Sequence, residues 1–503
     1  MHFSFEELDE KWSELEDIFS KDAVWKGSFD KFSSISGKKR GTTTVDDDFL
    51  KQLEGWRASL AKNLVKLNKN INQRDLNYSV QRTIDRILFL RISEDRGLEN
   101  DAQLQSLLSK KNIYKGLCEL FLIADEKYNS GLFHFHKEND RPEPPDELSL
   151  KLNIDDKTLK EIFENLYYPN CPYEFSVMPA EILGQVYEQF LGKYIKVTSS
   201  KRVTIEEKPI VKKAGGVFYT PAYIVNEIVI ETIAPLLKNS TPLKVSRLKF
   251  VDPACGSGSF LIGVYDYILN WHLDYYMSNN PKKHTDKVHL NKNRKWVLTS
   301  SEKKQILLNN IYGVDIDAQA VETTKLSLLL KVLENETHEA INKQLSLFKE
   351  RALPDLGDNV KCGNSLVDSK FFNKYDHNQF GDDEMFKINP FDWKKEFPAV
   401  FKGNKKGFDA VVGNPPYVRV QLLNEIIPKQ AEFFTSQYKS AQKGNYDIYV
   451  TFVERGLDIL DANGVLGYIL PHKFFNAEYG EPLREVLSSG KHVRKIVHFG
   501  DQQ

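Results

Sequence analysis

The spacing of apolar positions changes character partway along this chain of 503 residues. In residues 46–66, Phe49, Leu53, Trp56, Leu60 and Leu64 recur at helical spacing, behind three Asp that suit a helix N-terminus. Residues 79–96 repeat the pattern with Val80, Ile84, Ile87, Leu88, Phe89 and Ile92. The charges between them (Arg82, Asp85, Arg86, Arg91, Glu94, Asp95 and Arg96) sit at spacings that permit pairing across turns. After a Pro-rich break at 141–147 the helical pattern resumes at 157–168 and 179–194. No catalytic cluster and no internal repeat stand out in this half. Residues 199–216 read as a polar, basic linker. From about 217 the pattern becomes short apolar strands, at 248–254, 310–316, 359–365, 408–414, 464–470 and 493–499. Helices are predicted from Ser259 and at 318–333, 446–460 and 479–488. Repeated βα units imply an α/β fold with a mostly parallel sheet covered on both faces, with ligands beyond the C-terminal strand ends.

Composition narrows the class. With 41% hydrophobic and 28% charged residues the chain is an ordinary globular one, and no apolar run approaches a membrane span. The acidic, amphipathic start MHFSFEELDEKW is unlike a secretory signal. Cys118, Cys171, Cys255 and Cys362 lack C-x-x-C spacing, which fits a reducing, cytoplasmic setting and argues against disulfide scaffolds and zinc fingers. Net charge is −1, so a nucleic-acid partner would need local basic patches. Two candidates are 281–295, with six Lys/Arg against one Asp, and Lys402, Lys405 and Lys406; a solvated loop explains each equally well. Glu206-Glu207-Lys208 contains the Glu-x-Lys of metal-dependent nucleases, but no Asp-bearing strand precedes it. His134 and His136 alternate like ligands without a supporting Cys or carboxylate set, so no metal site is expected.

Three strand ends carry candidate chemistry. Asp252-Pro253-Ala254-Cys255-Gly256-Ser257-Gly258 follows a strand and opens a helix, so a ligand can approach the backbone beside free N–H groups. It is neither a P-loop nor the dinucleotide fingerprint. Asp315, at the next strand end, suits both hydroxyls of an adenosine ribose, and Ile316 suits one face of an adenine. Asp317 suits the N-cap of the following helix. At the third end, Asn414-Pro415-Pro416-Tyr417, two prolines stiffen the loop and remove N–H donors. The Asn414 side-chain oxygen and the Pro415 carbonyl then converge as acceptors on an –NH2 group, with Tyr417 as a flat surface beside it.

These segments, in this order, resemble the adenine-specific amino-group DNA methyltransferases. The closer resemblance is to the methylase portion of fused type IIG restriction–modification enzymes. The resemblance implies a Rossmann-like fold dependent on S-adenosylmethionine. Phe218-Tyr219-Thr220-Pro221 is similar to the segment lining the methionine end of the cofactor, which carries that role to Tyr219 and Thr220. Asp252, Pro253, Ala254, Gly256 and Gly258 match the cofactor loop, and Asp315 with Ile316 the ribose end. Cys362-Gly363-Asn364-Ser365-Leu366 resembles the strand end facing the cofactor adenine, a role carried to Asn364. Asn414 to Tyr417 match the catalytic motif. Gly444 to Tyr449 resemble the opening of the following helix. Pro471 to Phe475 with Tyr479 resemble the segment bearing a second aromatic for the target base. Residues 80–97 and 181–195 resemble the helical region that joins nuclease to methylase.

The resemblance therefore implies a mainly helical connector at 1–198, a linker at 199–216 and a methyltransferase domain at 217–503. Compared with that family the chain reads as truncated at both ends. Its expected partners are double-stranded DNA with a flipped-out adenine, and a recognition domain or subunit and a nuclease outside these residues. Cys255 is not expected to be catalytic, because amino-group transfer needs no covalent intermediate. The flipped base needs two stacking faces. Tyr417 is one; Tyr479 is the first choice for the other, with Phe474 as competitor. Methylation of RNA or of a protein glutamine, and a non-catalytic remnant that binds DNA or partner subunits, are the competing readings.

Overall fold

The computed structural model describes residues 45–500 apart from 129–130, 138–143, 169, 172, 174, 177, 179, 199, 209–219, 292–293, 335, 337–351 and 403–405, together with Trp12, Ser13, Glu16, Asp17 and Ser20. Residues Phe49–Gln503 make one compact unit, and Met1–Asp48 another. The helical region comprises α1 (Val45–Leu67), α2 (Gln73–Asp95), α3 (Ile113–Tyr128), α4 (Asp156–Glu164) and α5 (Ala180–Leu191). The apolar face read from α1 is buried, as Phe49, Leu53, Trp56, Leu60 and Leu64. Asn72 and Asp155 cap α2 and α4 by accepting from backbone N–H groups three residues on.

The charges of α2 turn mostly to distant partners. Arg91 pairs with Asp95 within the helix, but Arg86 meets Asp146 at 2.7 Å and Arg82 meets Glu322 at 2.6 Å. Asp85 accepts from Tyr187 Oη of α5 at 2.6 Å. Helix α2 is buried nearly all round, so its charges have no solvent to face and need tertiary partners.

The stretch read as a linker begins in a hairpin, in which β1 (Lys193–Val197) pairs antiparallel with β2 (Val203–Glu207). After α6 (Ala222–Leu237) the α/β region follows: β3 (Phe250–Asp252), α7 (Ser259–Ser278), the hairpin β4 (Val288–Leu290) and β5 (Trp296–Leu298), α8 (Ser300–Asn310), β6 (Ile311–Asp315) and α9 (Ala318–Val332). It continues through β7 (Val360–Cys362), β8 (Phe408–Gly413), α10 (Val420–Ile426), α11 (Pro428–Gln437), α12 (Tyr449–Ile459), β9 (Leu460–Tyr468) and α13 (Glu481–Ser489). The main sheet has the order β7-β6-β3-β8-β9, and every adjacent pair is parallel. Ala410 and Val412 of β8 face one core, and Val411 faces another with Phe391, Trp393 and Phe397, so both sheet faces are covered.

Strands β3, β6 and β7 are added in one direction, and β8 and β9 in the other. The order therefore reverses beside β3, and the C-terminal ends of β3 and β8 are where a sheet of this kind leaves a ligand crevice. The last predicted strand is absent. Residues 493–499 form no strand, and Val493, Ile496, Val497 and Phe499 are exposed. An apolar run becomes a strand only with a ladder partner. Here Lys495 instead draws the segment to Glu231 of α6 at 2.6 Å.

Candidate active site

Asp252 ends β3 inside the protein, with Oδ1 accepting from Ala254 N at 2.9 Å. The loop then turns through Gly256 and Gly258, both with positive φ, and α7 starts at Ser259 with no side chain capping it. A side chain at Gly258 would press on Thr324, whose hydroxyl donates to Gly256 O at 2.9 Å. The N-terminus of α7 thus stays open to an anionic group.

Asp315 closes the loop from the neighbouring strand. Its Oδ2 accepts from Gly256 N at 2.9 Å and its Oδ1 from Asp317 N at 2.8 Å. Each oxygen keeps a further lone pair for a ligand hydroxyl. Asp317 caps α9 through Gln319 N and pairs with Lys208, from the stretch read as linker. Ile316 projects at the surface beside this strand end, 47% exposed.

Asn364 is buried and engaged in its own loop. It donates to Ile388 O at 3.1 Å and accepts from Leu366 N at 3.1 Å. Its neighbour Ser365 donates to Pro253 O at 2.5 Å, tying the β7 end to the loop after β3.

Asn414 stands at the end of β8, one residue after Gly413. An added Cβ at Gly413, whose φ is +154°, would lie 2.6 Å from Asp252 Oδ1, so only glycine lets β8 end against that carboxylate. The Asn414 amide donates to Thr220 Oγ1 at 3.0 Å. Its Oδ1 is buried and has no hydrogen-bond partner among the described residues. Pro415 is buried, and Tyr417 donates to Ile469 O at 3.3 Å, which fixes its ring. Tyr417 meets Tyr449 edge-on at 6.0 Å, and Tyr449 Oη meets Tyr479 Oη at 3.0 Å. Phe474 is 7% exposed and packs on Tyr449 and Phe475, whereas Tyr479 is more open.

Burial pushes three acids around the loop up. Asp252 rises to about 8, with Asp315 and Glu188 adding repulsion, and Asp315 rises to about 6, with Asp317 adding to it. Glu188 of α5 rises to about 7, with Asp315 adding to it. Burial also drives the Cys255 thiol well up, away from a nucleophilic thiolate.

The structure therefore brings Asp252 to Gly258, Asp315, Ile316 and Asn414 to Tyr417 to the C-terminal ends of adjoining strands, with Thr220 held on Asn414 and Tyr479 linked to Tyr417 through Tyr449. Thr220 touches Asn414, and Tyr219 lies outside the described residues. Glu188 comes to the same place through Ser257 and was not singled out; nothing in its local sequence marks it. Lys208, read only as part of a Glu-x-Lys in the linker, arrives there by pairing with Asp317. The described residues of the two basic stretches do not come to it. Helix α7 runs about 30 Å away from the loop, and 281–295 follows its far end. Lys402 and Lys406 precede β8 and so also lie at the opposite sheet edge, while Lys405 falls outside the described residues. Exposed Arg419 and Lys473 follow Asn414 and β9 at the crevice edge instead.

Residues 309–503 match the family model described as Eco57I restriction-modification methylase. The chain is 35% identical over 507 residues to the type II restriction enzyme and methyltransferase RM.Eco57I of Escherichia coli, covering all of this chain and 46% of the relative. It is 23% identical over 360 residues to the adenine-specific methyltransferase PglX of Lacticaseibacillus casei, covering 64% of this chain and 27% of that protein. The chain thus spans less than half the length of these relatives. The solved complex of the type IIL restriction-modification enzyme MmeI with DNA shares the fold, with a TM-score of 0.52 at 17% identity over 88% of this chain and 53% of that one. Among the described residues no helix is long and apolar enough to cross a membrane. With Asn-Pro-Pro-Tyr at the switch point of a parallel sheet, residues 309–503 match the Eco57I restriction-modification methylase family, within a chain similar over its whole length to part of a type II restriction enzyme and methyltransferase.

Proposed function

We propose that the chain transfers a methyl group from S-adenosylmethionine to the N6 amino group of adenine in DNA, as part of a restriction–modification system. One observation carries the reading: among the described residues the buried Asn414 Oδ1 meets no hydrogen-bond donor, while its amide is held by Thr220. A buried acceptor without a donor is costly, and an incoming –NH2 group satisfies it.

The residues fit the cofactor. Asp315 takes the ribose hydroxyls, Ile316 lies along the adenine, and the open N-terminus of α7 takes the cofactor carboxylate. Its bound sulfonium supplies an electrophilic methyl group. Asn414 Oδ1 and the Pro415 carbonyl hold the two hydrogens of the adenine amine. That geometry draws the nitrogen lone pair out of the ring and aims it into the crevice, so the protein contributes position and electrostatics. Tyr417 stacks on one face of the extruded base, and Tyr479 covers the other.

The names of the relatives favour DNA over RNA or a protein glutamine. A nuclease and a recognition module, in cis or on a partner, belong to the same proposal. Incubation with labelled S-adenosylmethionine and DNA, RNA or protein tests it. N6-methyladenine in DNA is the expected product, and label confined to RNA or protein overturns the reading.

A further inference from the structure

Glu188 belongs to the helical region, yet it reaches the loop between β3 and α7. Its Oε2 accepts the Ser257 hydroxyl at 3.1 Å, and Ser257 also meets Ser259 Oγ at 3.2 Å. Gly184, one turn earlier on α5, packs beside the same loop, where a Cβ would stand in ordinary contact 3.7 Å from Ser257 Oγ. Glu188 and Asp315 repel, and both repel Asp252. Lys208, which pairs with Asp317, lies near enough to act on Asp315. Among the described residues no ion pair joins a cation to Glu188 or Asp252. Three enclosed acids with so little matching charge are unfavourable as ions, and a positively charged ligand relieves them.

We infer that Glu188 is a cofactor-binding residue contributed by the helical region, and that it accepts a hydrogen bond from the α-ammonium group at the cofactor's amino-acid end. This rests on the S-adenosylmethionine reading above. Order along the crevice assigns the end. With the ribose on Asp315 and the adenine toward Ile316, the amino-acid part extends over the loop toward Ser257. There the N-terminus of α7 suits the carboxylate, and Glu188 suits the ammonium beside it. The helical region is then part of the cofactor site rather than a spacer ahead of it.

Calorimetry on Glu188→Gln with three probes tests this. The probes are S-adenosylmethionine, S-adenosylhomocysteine, which lacks the sulfonium charge, and 5′-methylthioadenosine, which lacks the amino-acid end. The first two should bind about tenfold or more weakly, and the third unchanged, since only a charged hydrogen bond to the ammonium is lost. Melting of the free variant should not fall, because Gln keeps an acceptor for Ser257 and removes repulsion. Unchanged affinities overturn the inference. So does a loss confined to S-adenosylmethionine, which would put Glu188 on the sulfonium, and so does an equal loss for all three probes with lower melting. Should Glu188→Gln not fold, Glu188→Asp carries the same comparison. If the unaltered protein binds none of the probes, the cofactor reading itself fails, which is a separate result.

Discussion

The side chain of Asn414 donates to Thr220 Oγ1 at 3.0 Å across 194 residues of sequence, and that bond leaves Oδ1 as the end of the amide without a donor among the described residues. A resemblance placed Thr220 at the cofactor. The hydrogen bond to Asn414 gives it a further role to test, orienting the amide that would accept the adenine amine in the proposed reaction. Thr220→Val keeps the shape and removes the hydroxyl. Methyl transfer should slow by about one to two orders of magnitude with cofactor affinity nearly unchanged, and Thr220→Ser should restore it. Single-turnover methylation alongside calorimetry separates the two quantities, and an unaffected rate removes Thr220 from this role.

Asn414→Ala tests the acceptor itself. Transfer should be abolished while S-adenosylmethionine binds within about twofold of the parent, because the lost hydrogen bond is to the base. A variant methylating DNA at the parental rate in a matched assay would exclude Asn414 as the catalytic acceptor.

Much of this site was legible in the sequence, for local reasons. Strands β3, β6 and β8 are short apolar runs that end in Asp-Pro, Asp-Ile and Gly-Asn-Pro-Pro, and each punctuation is chemical as well as structural. What was not legible depends on packing. Glu188 is one acid on an amphipathic helix until α5 docks on the Ser257 loop. Residues 493–499 have strand-like composition, but no ladder partner meets them. The basic stretch 281–295 invited a phosphate reading, and only the course of α7 puts its described residues at the far edge of the sheet.

Asp315 should respond to both substitution and pH. Asp315→Ala should weaken S-adenosylmethionine binding, since the ribose hydroxyls lose a charged acceptor. Asp315 rises to about 6, Glu188 to about 7 and Asp252 to about 8 in the folded protein. Each pKa is raised above its unfolded value, so the unfolded state loses these protons first as pH rises. Their favourable contribution is complete below the unfolded pKa values and is lost as pH climbs through about 6 to 8. The free protein should therefore melt lower at the top of that window. Cofactor affinity should move the other way, because the ionised acids meet a positively charged ligand. Affinity independent of pH across the window would contradict this electrostatic account.

The two aromatic candidates separate by burial. Phe474 is 7% exposed, so Phe474→Ala should cost about 3–5 kcal/mol of stability by opening a cavity. Tyr479→Ala leaves the fold largely intact and should weaken binding of DNA carrying 2-aminopurine at the target, with reduced fluorescence enhancement on extrusion. If Tyr479→Ala binds that DNA as the parent does, the second stacking face lies elsewhere.

Basic residues should matter by position rather than number. DNA presenting an adenine to Asn414 must lie along the C-terminal strand edge, where exposed Arg419 and Lys473 stand. Lys282 and Lys283 are exposed as well, but they follow α7 at the other edge. Each phosphate contact releases condensed counterions, so its loss lowers affinity on all sequences and reduces the salt dependence by about one unit of slope. Arg419→Gln and Lys473→Gln should each do this, while Lys282→Gln combined with Lys283→Gln should leave affinity and slope unchanged. Fluorescence anisotropy across a salt series reads both quantities. A loss of slope in the Lys282 and Lys283 variant, with none at Arg419 or Lys473, would place the duplex on the opposite edge of the sheet, and the amine-acceptor role of Asn414 would fall with it.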